Sequence, residues 1–213
     1  DDLKREFKKY NKKLFYFPGG VDFSKFNKKI SAKKKKKNII GYMGQVKDII
    51  DFKLISKIAK KFHNSEIQII GPIATDINEL QKQKNVKFFG SISHNKIPNY
   101  VRNFDVGIIP YIKNEYTNNI SPAKLNEYLS LGLPCVSTDL NEIKNFNKEN
   151  SNVVDVCKND DDFLKKIKKH LNMDHIQKKK KIAKRIKISR KYDWKKLFER
   201  FQDICEQNIF SKN

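Results

Sequence analysis

Lys124 and Glu127 stand three residues apart in Ser121-Pro122-Ala123-Lys124-Leu125-Asn126-Glu127-Tyr128. A cation followed by a carboxylate at that spacing suits anion and hydroxyl recognition. Ser121-Pro122 reads as a helix start, because serine is a favoured N-cap and proline is pre-organised for the first helical position. Gly132-Leu133-Pro134 reads as its end, which predicts a helix of about ten residues. In the first turn the helix dipole places roughly half a positive charge, so a lysine there is disfavoured by about 0.3 to 1 kcal/mol. A bound phosphate reverses that sign, since the free backbone N–H groups, the dipole and Lys124 then all point at one anion. Glu127 follows about 4.5 Å further along the axis, a step that resembles the distance from phosphate to ribose. A carboxylate accepting from two ribose hydroxyls makes charged hydrogen bonds of about 1.5 to 3 kcal/mol each. An ordinary i, i+3 surface pair, worth a few tenths of a kcal/mol, accounts for the spacing equally well. Leu125 and Leu129 face the other way, toward a sheet, which turns Lys124 and Glu127 to a crevice or to solvent.

The elements that must position these residues begin at residue 38. Short apolar runs near 39–43, 66–70, 86–89, 105–109, 134–137 and 153–156 alternate with amphipathic segments, the first carrying Leu54, Ile55, Ile58, Ala59 and Phe62 on one stripe. Regular strand-helix alternation predicts an open, Rossmann-like parallel sheet of about six strands with helices on both faces. Several runs end in glycine, proline or small polar residues, at Gly44, Gly71-Pro72, Gly90-Ser91, Pro110-Tyr111 and Ser137-Thr138. Open α/β sheets bind ligands beyond such carboxyl ends, at the switch in strand order.

Upstream, Leu3, Phe7, Tyr10 and Leu14 predict a helix over 2–14, Leu14-Phe15-Tyr16-Phe17 a short strand, and Pro18-Gly19-Gly20 its end. Lys33–Lys37 reads as an exposed linker. Downstream, Asn159-Asp160-Asp161-Asp162 opens a helix over 159–171, and the acidic triplet complements the dipole rather than a metal. Residues 176–208 predict two basic helices around Tyr192-Asp193-Trp194. The expected organisation is 1–37 as the remnant of a preceding domain and its linker, 38–175 as the α/β domain, and 176–213 as carboxyl-terminal helices.

With 213 residues and 38% apolar content the chain can bury one full core. No run of about 18 apolar residues occurs and Asp1-Asp2-Leu3-Lys4-Arg5 lacks the apolar core of a signal peptide, so a soluble, cytoplasmic protein is expected. Cys135, Cys157 and Cys205 fit a reducing compartment, and His63, His94, His170 and His175 are isolated and receive no chemistry. The formal charge of +22 admits a polyanionic partner. Of the 46 cations, however, only Arg5, Arg102, Arg185, Arg190 and Arg200 are arginine, whereas specific nucleic-acid readers favour arginine forks. The lysine richness fits an A/T-rich genome and a solvated face, and no nucleic-acid partner is expected.

Three linked motifs, Asp105-Val106-Gly107-Ile108-Ile109-Pro110-Tyr111, then Ser121 to Leu129, then Gly132-Leu133-Pro134-Cys135-Val136-Ser137-Thr138, resemble the carboxyl-terminal, donor-binding domain of GT-B-fold glycosyltransferases of family four. Gly19-Gly20-Val21-Asp22 resembles the interdomain linker, Gly41-Tyr42-Met43-Gly44 the first strand and donor loop, Asn85 to Gly90 the strand before the base-binding loop, and Trp194 the start of the terminal helix. The resemblance implies a hexosyltransferase of polysaccharide biosynthesis that takes a nucleotide-diphosphate sugar as substrate, with no cofactor and no metal required. Lys124 then stabilises the leaving diphosphate, and Gly44, Gln45, Lys47, Gly90, Ser91, Asn119, Ile120, Ser121, Pro122, Ala123, Leu125 and Glu127 bind the donor. Glu127 matches the second member of the family's glutamate pair, while Asn119 stands where the first belongs and Pro122 has no N–H for the diphosphate.

The glycan or lipid acceptor, by the same resemblance, meets an amino-terminal domain that this chain lacks. A chain truncated before it, or completed by a partner, is expected, inactive by itself. Peripheral contact of the basic helices with the inner face of a membrane is a further expectation. Two other readings stay open: a non-catalytic polyanion- or membrane-surface module, motivated by the stretch Ile176 to Lys191, and a sugar-nucleotide epimerase of GT-B shape. An NAD-binding domain lacks its GxGxxG and its ribose-binding acid.

Overall fold

Strand-helix alternation from residue 38 onward folds as one six-stranded, wholly parallel sheet in the computed structural model of the protein, which describes residues 2–28 and 37–210. Its strands are β1 (Ile39–Met43), β2 (Glu66–Ile70), β3 (Val86–Phe88), β4 (Val106–Ile109), β5 (Cys135–Thr138) and β6 (Asp155–Cys157), in the order β3-β2-β1-β4-β5-β6. Every residue of β1 and β4 is buried, as the continuous apolar runs require once helices cover both faces.

The helices are α1 (Asp2–Phe7), α2 (Phe23–Phe26), α3 (Phe52–Lys61), α4 (Asn78–Gln81), α5 (Ile97–Val101), α6 (Glu115–Asn118), α7 (Ala123–Ser130), α8 (Asn141–Glu149), α9 (Asp160–Leu171), α10 (His175–Ser189) and α11 (Trp194–Cys205). Leu54, Ile55, Ile58 and Ala59 form the buried stripe of α3, and the Asp51 carboxylate caps it by accepting from the Leu54 N–H. Asn159 caps α9 in the same way, leaving Asp160, Asp161 and Asp162 in its first turn, where the dipole favours them.

β6 starts two residues later than its valines predict. The side chain of Asn147 explains this: its Nδ2 donates to the Val154 carbonyl at 2.8 Å and its Oδ1 accepts from the Val154 N–H at 3.1 Å. A buried amide thus takes the place of the strand ladder.

The amino-terminal segment departs further from expectation. The helix stops at Phe7 instead of running to residue 14, and residues 14–17 pair with no strand. Phe7 is 52% and Tyr10 81% exposed, so the aromatic residues of the predicted stripe find little cover, and so short a helix is marginal in water. Lys33–Lys36 of the predicted linker lie outside the described residues.

Gly19 to Asp22 instead make contact with the far end of the chain. The Val21 N–H donates to the Tyr192 carbonyl at 2.9 Å and the Trp194 N–H to the Val21 carbonyl at 3.1 Å. Val21, Phe23 and Phe26 form a small cluster beside Ile97, Leu131 and Ile186. α10 packs on α7 through Arg185, Ile188 and Ser189, the Ser189 hydroxyl donating to the Asn126 carbonyl at 2.9 Å, and leaves most of its lysines exposed. The two predicted basic helices are interrupted by a 3-10 turn at Arg190–Tyr192 and closed by a π-turn at Glu206–Phe210. Among the described residues no helix is long and apolar enough to cross a membrane.

Candidate functional site

The strand order reverses between β1 and β4, which opens a crevice beyond their carboxyl ends. The loop leaving β1 is pinned on two sides of it. The Gly44 N–H donates to the Ile70 carbonyl at 2.8 Å and the Val46 N–H to that of Pro72 at 2.9 Å, while the Asp51 N–H reaches the Pro110 carbonyl at 2.7 Å. Gly44 and Gly71 have φ of 132° and 142°, and a Cβ on Gly71 would lie 2.1 Å from the Gly44 carbonyl oxygen. Two backbones therefore touch where the side chains of other residues would separate them.

α7 follows β4 and aims its amino-terminal end at this crevice. Its N-cap is Pro122 rather than the predicted Ser121, and the helix has eight residues. The Leu125 N–H donates to the Pro122 carbonyl at 2.9 Å, whereas the Ser121 hydroxyl is drawn aside to Tyr16. Pro122 offers no side-chain cap, and the first N–H groups of a helix have no intrahelical acceptor.

Lys124 is not turned to solvent: it is 8% exposed. Its Nζ donates to the Tyr42 hydroxyl at 3.1 Å and to the Tyr111 hydroxyl, and sits 4.4 Å and 4.6 Å from the centres of the two rings. Tyr42 comes from β1 and Tyr111 from the exit of β4, so the switch point itself builds the cage. Burial lowers the Lys124 pKa to about 7, against the favourable fields of Glu127 and Cys135, with Lys47 adding to the depression. A Cβ on Gly44 would stand 2.9 Å from the ammonium, so Lys124 lies directly beneath the β1 loop.

Glu127 has a side chain 15% exposed, and burial raises its pKa, opposed by His94, Lys124 and Lys25. It makes no ion pair with Lys124; its neighbour is His94, with Nε2 3.6 Å from Oε1. The surface-pair reading of Lys124 and Glu127 is therefore overturned. His94, to which the sequence assigned no chemistry, touches Lys25 through Nδ1 at 2.7 Å. Tyr42, Tyr111, His94 and Lys25 were all missed by residue-type reasoning. Tyr42, next to last in β1, and Tyr111, two residues past β4, were within reach, because both strands run into the predicted crevice.

The remaining candidates spread around this centre. Gln45 is exposed and its carbonyl accepts from the Tyr42 hydroxyl at 2.9 Å, while the Lys47 ammonium lies 5.8 Å from the Tyr116 ring centre. Gly90 has φ 63°, its carbonyl accepts from the Gly71 N–H at 2.9 Å, and Ser91 beside it is exposed. Asn119 ends α6, its amide donating to the Glu115 carbonyl at 3.0 Å, and with Ile120 and Tyr116 it lines an open cavity of about 590 Å³. Ala123 is exposed, and Leu125 turns its side chain into the core, 3% exposed. A cavity of about 540 Å³ between α3 and α4, lined by Phe52, Lys57, Ile77 and Leu80, shares none of these residues. His170, 4% exposed and 2.6 Å from Asp155, is a core histidine. Among the described residues no three His, Cys, Asp or Glu side chains converge as a metal site.

Residues 23–189 match the family described as glycosyl transferases group 1. Bacillus subtilis TuaH, named as a teichuronic acid biosynthesis glycosyltransferase, is 30% identical over 166 residues, covering 75% of this chain and 41% of its own length. A glycosyltransferase from Rickettsia africae superposes with a TM-score of 0.79 at 15% identity, over 99% of this chain and 62% of its own. WaaG, a glycosyltransferase involved in lipopolysaccharide biosynthesis, superposes with a TM-score of 0.73 at 16% identity, over 96% of this chain and 60% of its own. The chain thus spans about two fifths of the curated relative and about three fifths of the solved structures.

Proposed function

Because the chain belongs to the glycosyl transferases group 1 family, we propose that it is the donor-binding half of such an enzyme and takes a nucleoside-diphosphate sugar. The diphosphate lies over the first turn of α7, above Lys124, and the ribose hydroxyls donate to Glu127. One observation carries this reading: a lysine and a glutamate one helical turn apart, both largely removed from water, stand unpaired with each other at the switch-point crevice. Two such groups gain most from a ligand that is anionic at one end and rich in hydroxyls at the other.

During transfer the bond between the anomeric carbon and the diphosphate oxygen breaks and its electron pair stays on that oxygen. The developing charge meets the Lys124 ammonium and the amino-terminal dipole of α7. The tyrosine cage holds the ammonium without neutralising it, since hydroxyl oxygens and ring faces carry no full charge. The acceptor, a glycan or lipid, meets the sugar from the part of the relatives that this chain does not span.

Calorimetry with UDP, GDP and ADP on the 213-residue chain tests the reading. Glu127→Ala is expected to weaken the nucleotide that binds by roughly tenfold or more. Unchanged affinity in that variant, or no binding by the parent chain, overturns it.

A further inference from the structure

His94 lies on the loop between β3 and α5, and Lys25 on α2, the short helix through which the chain enters the domain. They are 69 residues apart in sequence, yet Lys25 Nζ is 2.7 Å from His94 Nδ1, and His94 Nε2 is 3.6 Å from Glu127 Oε1. An ammonium has donors only, so the ring nitrogen that it meets must offer a lone pair. The proton of a neutral His94 is therefore on Nε2, the nitrogen that faces Glu127. At 3.6 Å that contact is electrostatic rather than a formed hydrogen bond. The ring is fixed on its other side by Phe26, whose centre is 6.0 Å away in an edge-on arrangement, and the Asp22 carboxylate lies within its field.

The need for such a device follows from the burial of Glu127. An ionised carboxylate offers both oxygens as strong, charged acceptors to the two ribose hydroxyls; once protonated, one oxygen becomes a donor and the remaining acceptance is neutral and weaker. Withdrawal from water works against the ionised form, and His94 and Lys25 supply an N–H dipole and a full positive charge from two separate segments. Lys124 acts to the same end from α7 itself, but His94 and Lys25 come from elsewhere, so the state of Glu127 also depends on how α2 and the β3 loop seat against it.

We propose that His94, oriented by Lys25, is a positioning residue that keeps Glu127 a hydroxyl-accepting carboxylate and so sets donor affinity from the segment that enters the domain. The inference rests on the donor-binding reading above and goes further by assigning a role to residues outside the family motif.

The test uses whichever of UDP, GDP and ADP binds most tightly, together with its 2′,3′-dideoxy form, in calorimetric titrations of the 213-residue chain. His94→Ala is expected to weaken the ribonucleotide about fivefold and to leave the dideoxy form unchanged. His94→Gln, which retains an N–H donor, is expected to restore binding to within about twofold of the parent. In a Glu127→Ala background His94→Ala should add nothing. Because the His94 side chain is 60% exposed, the single His94 variants are expected to melt with the parent chain. Equal losses on ribo and dideoxy forms, or no loss with His94→Ala while Glu127→Ala still weakens binding, overturn the positioning role alone. A parent chain that binds none of the three nucleotides overturns the donor reading and this inference with it.

Discussion

At the scale of single residues, Lys124 is the costliest group in the crevice. Its ammonium has been withdrawn from water, and the tyrosine hydroxyls and rings around it return only part of the lost hydration. A folded pKa of about 7 lies below the roughly 10.4 of an unfolded lysine, so between those values the unfolded chain binds more protons. Stability must then rise with pH from about 7 upward, by at most about 1.4 kcal/mol per unit. Above roughly pH 8.5 the thiols of the unfolded chain begin to ionise. Cys135 and Cys157, both held protonated by burial, then oppose the trend. Urea midpoints at pH 6.5, 7.5 and 8.5 are expected to climb in the parent chain and to stay flatter in Lys124→Met. Equal slopes in the two proteins would show that Lys124 keeps an ordinary pKa. The same variant should also lose nucleoside-diphosphate affinity, since it removes the amine that lies beneath the β1 loop.

At the scale of elements, the crevice depends on the contact between the turns that end β1 and β2. Gly71→Ala puts a methyl group against the Gly44 carbonyl at a φ that side chains rarely adopt. The strain alone is expected to cost about 1 to 3 kcal/mol in urea unfolding. Because Gly44 stands directly over Lys124, its displacement should weaken nucleotide binding beyond what the stability loss explains. A Gly71→Ala chain of unaltered stability would mean that the two turns separate freely. α7 is held as tightly from behind: the Tyr128 hydroxyl accepts from the Met43 N–H at 2.9 Å and the Asn126 amide donates to the Gly19 carbonyl at 2.9 Å. The helix that presents Lys124 and Glu127 is thereby tied both to β1 and to the entering segment.

At the scale of the whole molecule, a net charge of +22 on 213 residues repels itself. The lysines of α10 remain mostly exposed while its Arg185, Ile188 and Ser189 face the fold. Salt shortens the range of that repulsion from about 30 Å at 0.01 M to about 3 Å at 1 M. The thermal midpoint is expected to rise by roughly 2 to 5 °C between low salt and 0.5 M sodium chloride, and a midpoint that falls would mean that ion pairs outweigh the repulsion. The ion pairs that do form, such as Lys57–Asp160 and Lys113–Asp139, have largely exposed lysines and contribute little individually.

The amino-acid sequence by itself determined what depends on local pattern. The isoleucine-rich runs at 39–43 and 66–70 are strands to the residue, short apolar segments that suit a doubly covered sheet. The α7 segment with Lys124 and Glu127 was legible because glycine and proline punctuate its end. Tertiary structure decided the surroundings of those two residues. Lys124 is caged by Tyr42 from 82 positions away, and Glu127 is met by His94, which meets Lys25 across 69 positions. No local periodicity encodes such meetings. The same limit explains the amino-terminal segment, where a helical spacing over residues 2–14 is plain in sequence and a helix forms only to Phe7. An apolar stripe makes a helix only where another surface stands ready to cover it.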